Sequence, residues 1–509
     1  MNPPRILPVS ALVPLMLISA GCMVGPRYKQ PSTAVPPAFK EQPPVNFKEA
    51  EAAGWKQSQP ADAYSKGRWW ELYNDAALNA LEEQVSVSNQ NVLHAEAQYR
   101  QAKAAVTVAR AALLPVVTTA PSASFSGGSG GAAASGSSSQ TSESRKSFSL
   151  PFNASWEPDL WGNIRRGVTA SAATAQSLAA NVGNARLLYQ AELAQDYFGL
   201  HGNDGEAELL TRTQASYEDY LALTRNRVSA GVAADLDVAQ AESQLYAVQA
   251  QLIDLGVQRA AFEHAIAILI GKAPADLTIP LVTLSTSPPA VPLAVPSELL
   301  ERRPDIAGAE RQVAAANEQI GIAIAAFYPT LSLTGSAGLQ SSSLAKWFSW
   351  PSRFWAVGPE LAETLFDAGR RRGVVAEQRA AYDATVAAYR ETVLTAMQQV
   401  EDNLAALRIL EAEADKVRQT IQAATRALDI STQQYRAGTG SYLPVIVSQA
   451  ALLGAEATAL DLLTRRLTAS VLLIEALGGG WNASQLPTRG EVTAPDPQPK
   501  VQAPAREVR

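Results

Sequence analysis

Residues 370–436 carry the feature that most constrains the fold, an apolar seam in a stretch without proline. Apolar or small residues recur at alternating steps of three and four from Val386 to Leu428, so the seam has a period near 3.5 residues. Since an α-helix rises about 1.5 Å per residue, a helix over this stretch is on the order of 95 Å long. Few globular domains have room for it. A turn follows at Gly438, and a shorter seam runs back towards Gly478. The sequence therefore predicts an elongated helical hairpin.

The same pattern occurs earlier in the chain, which indicates two internal repeats. A shift of 207 residues superposes Gly231 on Gly438, and a shift of 214 residues superposes Pro115 on Pro329. The predicted division is residues 1–21 as signal peptide, 22–72 as lipidated extended segment, 73–271 as repeat 1, 272–297 as linker, 298–478 as repeat 2 and 479–509 as C-terminal tail. The predicted elements are helices over about 69–114, 164–228, 235–271, 370–436 and 441–478, and β-hairpins over about 116–157 and 330–363.

The N-terminus has the pattern of a bacterial lipoprotein signal. Arg5 precedes an apolar run that ends in Ala20 and Gly21, directly before Cys22, which is the one cysteine of the chain. Small residues at these positions allow cleavage before the cysteine, whose thiol is then acylated. We therefore predict a covalent lipid on Cys22 and no disulfide. Met23 replaces the aspartate that often retains lipoproteins at an inner membrane, which favours the outer membrane.

The composition excludes several other classes of protein. The net charge is −6 and the basic residues are scattered, so no nucleic acid is expected as a partner. No run of about 18 apolar residues occurs, so no transmembrane helix is expected. The three histidines show no metal-ligand spacing, and no nucleophile elbow, P-loop or dinucleotide fingerprint is present. We expect neither an enzyme nor a metal, nor a cofactor other than the lipid on Cys22.

Each repeat contains about two β-prone runs, in which small, polar and aromatic residues alternate as a lipid-facing barrel requires. Four strands cannot close a barrel, and an open edge in lipid leaves backbone groups unpaired at several kcal/mol each. The chain must therefore oligomerise to insert. Two chains give about eight strands with little lumen, whereas three give about twelve with an aqueous interior. The helices are amphipathic and charged, so we expect them in an aqueous compartment.

Three blocks of sequence resemble outer-membrane efflux lipoproteins, the NodT/OprM-like branch of the TolC family. They are Glu301-Arg302-Arg303-Pro304-Asp305 with its continuation to Phe327-Tyr328-Pro329-Thr330, the N-terminal Cys22-Met23-Val24-Gly25-Pro26, and the hairpin tip Tyr435-Arg436-Ala437-Gly438. The resemblance implies a mixed α and β membrane protein of TolC-like fold. It implies a homotrimer with a twelve-stranded outer-membrane barrel continued by a periplasmic α-helical barrel. As partners it implies a periplasmic adaptor (a membrane fusion protein) and an inner-membrane RND-type transporter, and as function the export of drugs or other small molecules.

The resemblance also places adaptor contacts at the two hairpin tips, which lie furthest from the outer membrane. The residues concerned are Arg227, Gly231, Arg436 and Gly438. An alternative reading is that both glycines are only the turns that antiparallel helices need.

A periplasmic gate is implied just beyond these turns. In the family a tyrosine of the second hairpin bonds an aspartate of the first, and Tyr435 and Asp237 match those positions. Asp235 lies beside Asp237, so a trimer would form a carboxylate ring. Leu443 matches an apolar constriction. The alternative is that both aspartates only favour the start of a helix through its dipole.

The sequence departs from the family's gate at two positions. Gly440 stands where TolC has a lock arginine, and Val447 stands where relatives place an acidic gate residue. Closure should therefore depend less on ion pairs and more on apolar contact. Two other functions remain open from the sequence, the outer-membrane duct of a type I protein-secretion system and a periplasmic coiled-coil scaffold or adaptor without a pore.

Overall fold

The structure is a computed structural model of the 509-residue chain. It describes residues 23–33, 35–36, 38–41, 67–126, 145–284, 287–289 and 299–494. The signal peptide, Cys22, the Gly/Ser-rich loop at 127–144 and the end of the C-terminal tail lie outside these ranges.

Two very long helices dominate the molecule, and each begins after a left-handed glycine. Gly162 (φ +84°) precedes the first and Gly369 (φ +88°) the second, and both helices have 67 residues. The helices are α1 (Ala76–Ser88), α2 (Gln90–Ala111), α3 (Asn163–Ser229), α4 (Asp235–Leu269), α5 (Pro304–Ala325), α6 (Arg370–Arg436), α7 (Leu443–Ala476) and the short α8 (Arg489–Thr493); single turns lie at Trp69–Tyr73 and Leu299–Arg302. The helix predicted over 370–436 is thus present with those bounds.

One antiparallel sheet connects the two halves of the chain. Its strands are β1 (Val116–Thr119), β2 (Ser122–Ser126), β3 (Arg145–Trp156), β4 (Thr330–Ser341) and β5 (Arg353–Ala362). Both β1 and β2 pair with β3, so they occupy one strand position interrupted at residues 120–121. β3 pairs with β4, and β4 pairs with β5. The sheet therefore has four strand positions, as the sequence predicts.

The prediction of continuous helix over residues 69–114 is wrong. Trp69–Tyr73 forms a 3-10 turn, and the helix breaks again at Asn89 between α1 and α2. The Asn89 side chain accepts hydrogen bonds from the backbone N–H groups of Asn91 and Val92, which caps α2. Its amide also donates to the carbonyl of Leu269 at 2.8 Å. A distant carbonyl therefore helps to hold the break.

The main core lies where the 69–73 turn and α1 meet α3, α5, α6 and α7. Trp69 and Tyr73 are almost completely buried there, and Tyr73 packs on Phe198 of α3 with ring centroids 4.9 Å apart. A second cluster joins the far ends of the four long helices. The molecule is thus held together partway along the two longest helices and again at the hairpin turns.

One described helix, α7, is long and apolar enough to cross a membrane by length and composition. Core helices of aqueous domains pass the same test, and α7 packs along α6 and α3. Length and composition do not by themselves show a membrane span, so the expectation of no transmembrane helix stays a prediction.

Glu82 is a carboxylic acid inside the mainly apolar main core. It is completely buried on α1, and within the described chain neither carboxyl oxygen has a hydrogen-bond partner. Burial raises the pKa of Glu82 well above its usual range, because the charged form loses its solvation. The next residue, Glu83, is exposed and pairs with Arg68.

Glu82→Met is expected to stabilise the protein more near pH 8 than near pH 5. An unfolded chain ionises a glutamate above about pH 4.3, whereas buried Glu82 keeps its proton, so the folded state binds more protons and loses stability as pH rises. The loss is at most about 1.4 kcal/mol per pH unit, and the variant removes it. Melting temperatures across this range measure the effect, with Glu83→Met as the exposed control. Equal shifts at both pH values would contradict the prediction.

Candidate functional site

The sheet has one apolar face and one polar face, as the pairing register and the alternation of side chains dictate. The apolar face is exposed in the single chain, where Trp355 and Val357 are each 79% accessible. Its residues include Val117, Phe125, Phe148, Leu150, Phe152, Ala154, Trp156, Leu331, Leu333, Ala337, Leu339, Trp355, Val357, Pro359 and Leu361.

The opposite face carries mainly hydroxyl and amide groups. Its residues include Thr118, Ser122, Ser124, Ser147, Ser149, Asn153, Ser155, Thr330, Ser332, Thr334, Ser336, Gln340 and Glu360. A surface that is apolar on one side and polar on the other separates hydrocarbon from water, as a transmembrane barrel strand does. The 12-residue strands β3 and β4 exceed the 9–11 residues or so that a tilted strand needs to cross a bilayer.

Aromatic side chains are concentrated at both ends of the sheet. At the end with the β4–β5 turn, the ring of Phe148 lies 5.8 Å from the rings of Phe125 and Trp347. At the helical end, which we call the foot of the sheet, Trp161 stacks on Tyr328 with centroids 4.8 Å apart. Aromatic girdles of this kind mark the two interfaces of a membrane.

The register between β3 and β4 is fixed by an unusual pair. Pro151 lies opposite Gly338, and a Cβ on Gly338 would approach the carbonyl oxygen of Leu150 to 2.3 Å. Only glycine therefore fits opposite this part of β3.

The far ends of the long helices form two tips. Gly231 (φ +68°) turns α3 into α4, and Gly438 (φ +76°) ends α6 before α7. In the single chain Gly231, Arg436 and Gly438 are exposed. Three of the four predicted adaptor contacts are thus accessible, and their role remains a prediction.

Arg227, the fourth of these residues, bridges the two tips. Its guanidinium donates a hydrogen bond to the carbonyl of Tyr435 and lies 4.5 Å from the centroid of that ring. The contact combines a charge-assisted hydrogen bond with a cation–π interaction. It joins α3 of the first hairpin to α6 of the second.

Within the described part of a single chain, Tyr435 and Asp237 form no hydrogen bond with each other, and their pairing in the gate stays a prediction. The Tyr435 hydroxyl lies 3.2 Å from the Thr224 hydroxyl instead. Asp237 acts instead on Tyr442. Burial is the main cause that raises the pKa of Tyr442, Tyr435 and other tyrosines follow, and the charge of Asp237 contributes least. The hydroxyl of Tyr435 therefore has a neutral hydroxyl, and not a carboxylate, as its hydrogen-bond partner.

Sequence reasoning missed the cluster of tyrosines behind the turns. Tyr442 packs on Tyr435 with centroids 5.3 Å apart, and the Tyr220 hydroxyl lies 2.9 Å from that of Thr432. Tyr217 is also buried there. The signal was present, since four tyrosines fall within a few helical turns of the two tip glycines.

The remaining gate candidates lie at the starts of the return helices. Asp235 begins α4 and is exposed. Leu443 begins α7 and is 57% exposed, and Val447 one turn later is exposed as well. The helix starts thus present apolar side chains to the outside of the single chain. Their role as a constriction remains a prediction.

Comparison with known proteins agrees with this geometry. The family model described as outer membrane efflux protein matches residues 81–272 and 295–479. The outer membrane protein OprJ of Pseudomonas aeruginosa is 31% identical over 484 residues, which are 93% of this chain and 96% of OprJ. The probable efflux pump outer membrane protein TtgC of Pseudomonas putida is 29% identical over 466 residues, 91% of this chain and 94% of TtgC.

A solved structure shows the same fold. That of the outer-membrane channel OprN superposes with a TM-score of 0.80 at 28% identity, over 90% of this chain and 100% of OprN. The resemblance inferred from the sequence is confirmed, and the chain belongs to the outer membrane efflux protein family, whose members are channels of the outer membrane.

Proposed function

We propose that the protein is the exit duct of a tripartite RND-type efflux pump that exports drugs or other small molecules. In this proposal three copies close a twelve-stranded barrel in the outer membrane and continue it as a helical barrel into the periplasm. The tips contact a periplasmic adaptor, which links the duct to an inner-membrane RND transporter. The observation that carries the proposal is the two-faced sheet with unpaired outer strands.

The outer strands supply the argument for an oligomer. Within the described chain β5 and the β1/β2 position each pair on one side only. Unpaired backbone groups cost several kcal/mol each in hydrocarbon, so each edge needs another copy of the chain. Four strand positions per chain give eight in a dimer and twelve in a trimer, and the twelve leave room for water. The hydroxyl-rich face then lines the lumen.

The names of the relatives favour efflux over the other candidates. TtgC is called an efflux pump protein, and a related protein of Pseudomonas putida is called an antibiotic efflux pump protein. A scaffold without a pore gives no role to a sheet with an exposed apolar face. We also propose that the chain is organised as two repeats, because both halves run helix, strands, long helix and return helix in the same order.

Deleting the gene is expected to raise the accumulation of dyes and antibiotics in the native host, and the intact gene should restore export.

A matched pair of variants tests whether export depends on the apolar face of the sheet. Val357→Arg places a charge on the apolar face at a cost of about 2–4 kcal/mol near the bilayer centre, and should fail to restore export. Ala356→Arg, on the polar face of the same strand, should restore it. Unchanged accumulation on deletion, with loss of a secreted protein, would favour type I secretion instead.

Cys22→Ala is expected to abolish acylation, because no other thiol is available. Labelled palmitate should enter the native chain and not the variant, while trimers still form on gels of unheated samples. Label that enters the N-terminal segment of the variant would contradict the assignment.

Arg227→Met is expected to loosen the tips. A hydrogen bond from a charged group is worth about 1.5–3 kcal/mol, so its loss should lower the closed-to-open ratio at least about tenfold. Conductance of the purified channel in planar bilayers would rise. Arg225→Met is the control, because Arg225 pairs with Glu242 inside the first hairpin at 2.7 Å. Identical conductance in the Arg227 variant and the native channel would show that the contact of Arg227 with Tyr435 does not hold the tips together.

A further inference from the structure

The segment that follows Cys22 lies in a site built from buried groups of α3 and α5. Arg166 of α3 is 2% exposed and forms an ion pair with Glu318 of α5 at 2.7 Å. Its Nε donates to the carbonyl of Val24 at 2.7 Å, and its Nη2 donates to the carbonyl of Pro26 at 3.2 Å. The guanidinium therefore holds the chain by its backbone on both sides of residue 25.

Two glycines make the close approach possible. Gly25 has φ +100°, and a Cβ there would approach Cα of Gly321 to 2.7 Å. A Cβ on Gly321 would in turn meet the guanidinium of Arg166, with Nε at 2.3 Å. Helix α5, the Arg166 side chain and the N-terminal segment are thus stacked with no room for a methyl group between them.

The ion pair and the bound segment depend on each other. Burying a charged pair is costly unless further hydrogen bonds satisfy its donors. Two donors of Arg166 are satisfied by the carbonyls of Val24 and Pro26. Removal of the segment would take both acceptors away from the guanidinium.

The same site connects to the foot of the sheet. The N–H of Val24 donates to the carbonyl of Trp161 at 3.1 Å, and the Trp161 indole donates to the carbonyl of Pro329 at 2.8 Å. The next residue, Thr330, begins β4. Two hydrogen bonds therefore link the N-terminal segment, through Trp161, to the residue that precedes β4.

We propose that Arg166, Glu318, Gly321 and Gly25 form an anchor socket, a positioning site that fixes the lipid-bearing end of the chain at the foot of the sheet. The inference rests on the proposed acylation of Cys22. With Val24 seated, Cys22 can move no more than about 7 Å from it. With the socket empty the next contact along the segment is that of Asn317 with the carbonyl of Pro26 at 3.4 Å, and the reach grows to about 14 Å. The socket thus sets the distance between the acyl chains and the strands.

Limited trypsin digestion of the full-length protein tests the socket, because Arg27 and Lys29 are exposed cleavage points beside it. Gly25→Ala should be cut there at least about tenfold faster than the native protein, since the segment can no longer seat. Gly67→Ala is the matched control, because Gly67 also has positive φ (+72°) but a Cβ there meets nothing within 4 Å. The control should be cut in this segment at the native rate.

A second variant approaches the socket from the other side. Arg166→Met with Glu318→Met removes both charges together, so neither is left unpaired, and it should expose the same cleavage points. The melting temperature of the helices reports whether the body of the protein is intact. Cleavage at the native rate in both Gly25→Ala and the double variant would overturn the socket. The mass of the released peptide reports acylation separately, so an unacylated peptide would count against the lipid and leave the cleavage rates to decide the socket.

Discussion

The rest of the structure depends on one constraint, the need to pair every backbone N–H and C=O group that enters hydrocarbon. A single chain meets it inside the sheet and fails to meet it at β5 and at the β1/β2 position. The exposed apolar face adds a second unfavourable surface that only lipid relieves. Both demands would be met if copies of the chain joined edge to edge in a membrane, as proposed above. The long helices then have to lie on the aqueous side, because their charged surfaces exclude them from the same hydrocarbon.

Much of this architecture is readable from the sequence because it is periodic. The seam of period 3.5 predicts α6, the lack of proline and the turn at Gly438 limit its extent, and the alternation of small, polar and aromatic residues predicts the four strand positions. The break at Asn89 is not readable in this way. It is held partly by the carbonyl of Leu269, a residue that lies 180 positions away in the chain. A side chain that acts on a distant backbone group leaves no local pattern.

In the candidate gate, too, the sequence predicts the features that are local and does not predict the contact that depends on packing. The turns at Gly231 and Gly438 follow from local backbone chemistry, and both have the positive φ that glycine permits. The partner of Tyr435 does not, because Thr224 and Asp237 are both near the turn of the first hairpin and only packing decides between them. The structure selects the Thr224 hydroxyl and brings Arg227 onto the Tyr435 carbonyl. The cation that bridges the two tips is thus Arg227 of the first hairpin. In the second hairpin, Gly440 stands at the position of the TolC lock arginine and has no side chain.

The contact between Pro151 and Gly338 has a consequence for how the two halves of the chain find each other. They meet in the sheet only along β3 and β4, and a slip of one residue would exchange the two faces of a strand. The same slip would bring a side chain into the 2.3 Å space beside the Leu150 carbonyl that only Gly338 fits. Steric overlap therefore opposes a strand out of phase, in addition to the exchange of its apolar and polar faces. The pair of Pro151 and Gly338 thus selects the alignment in which the two halves of the chain join.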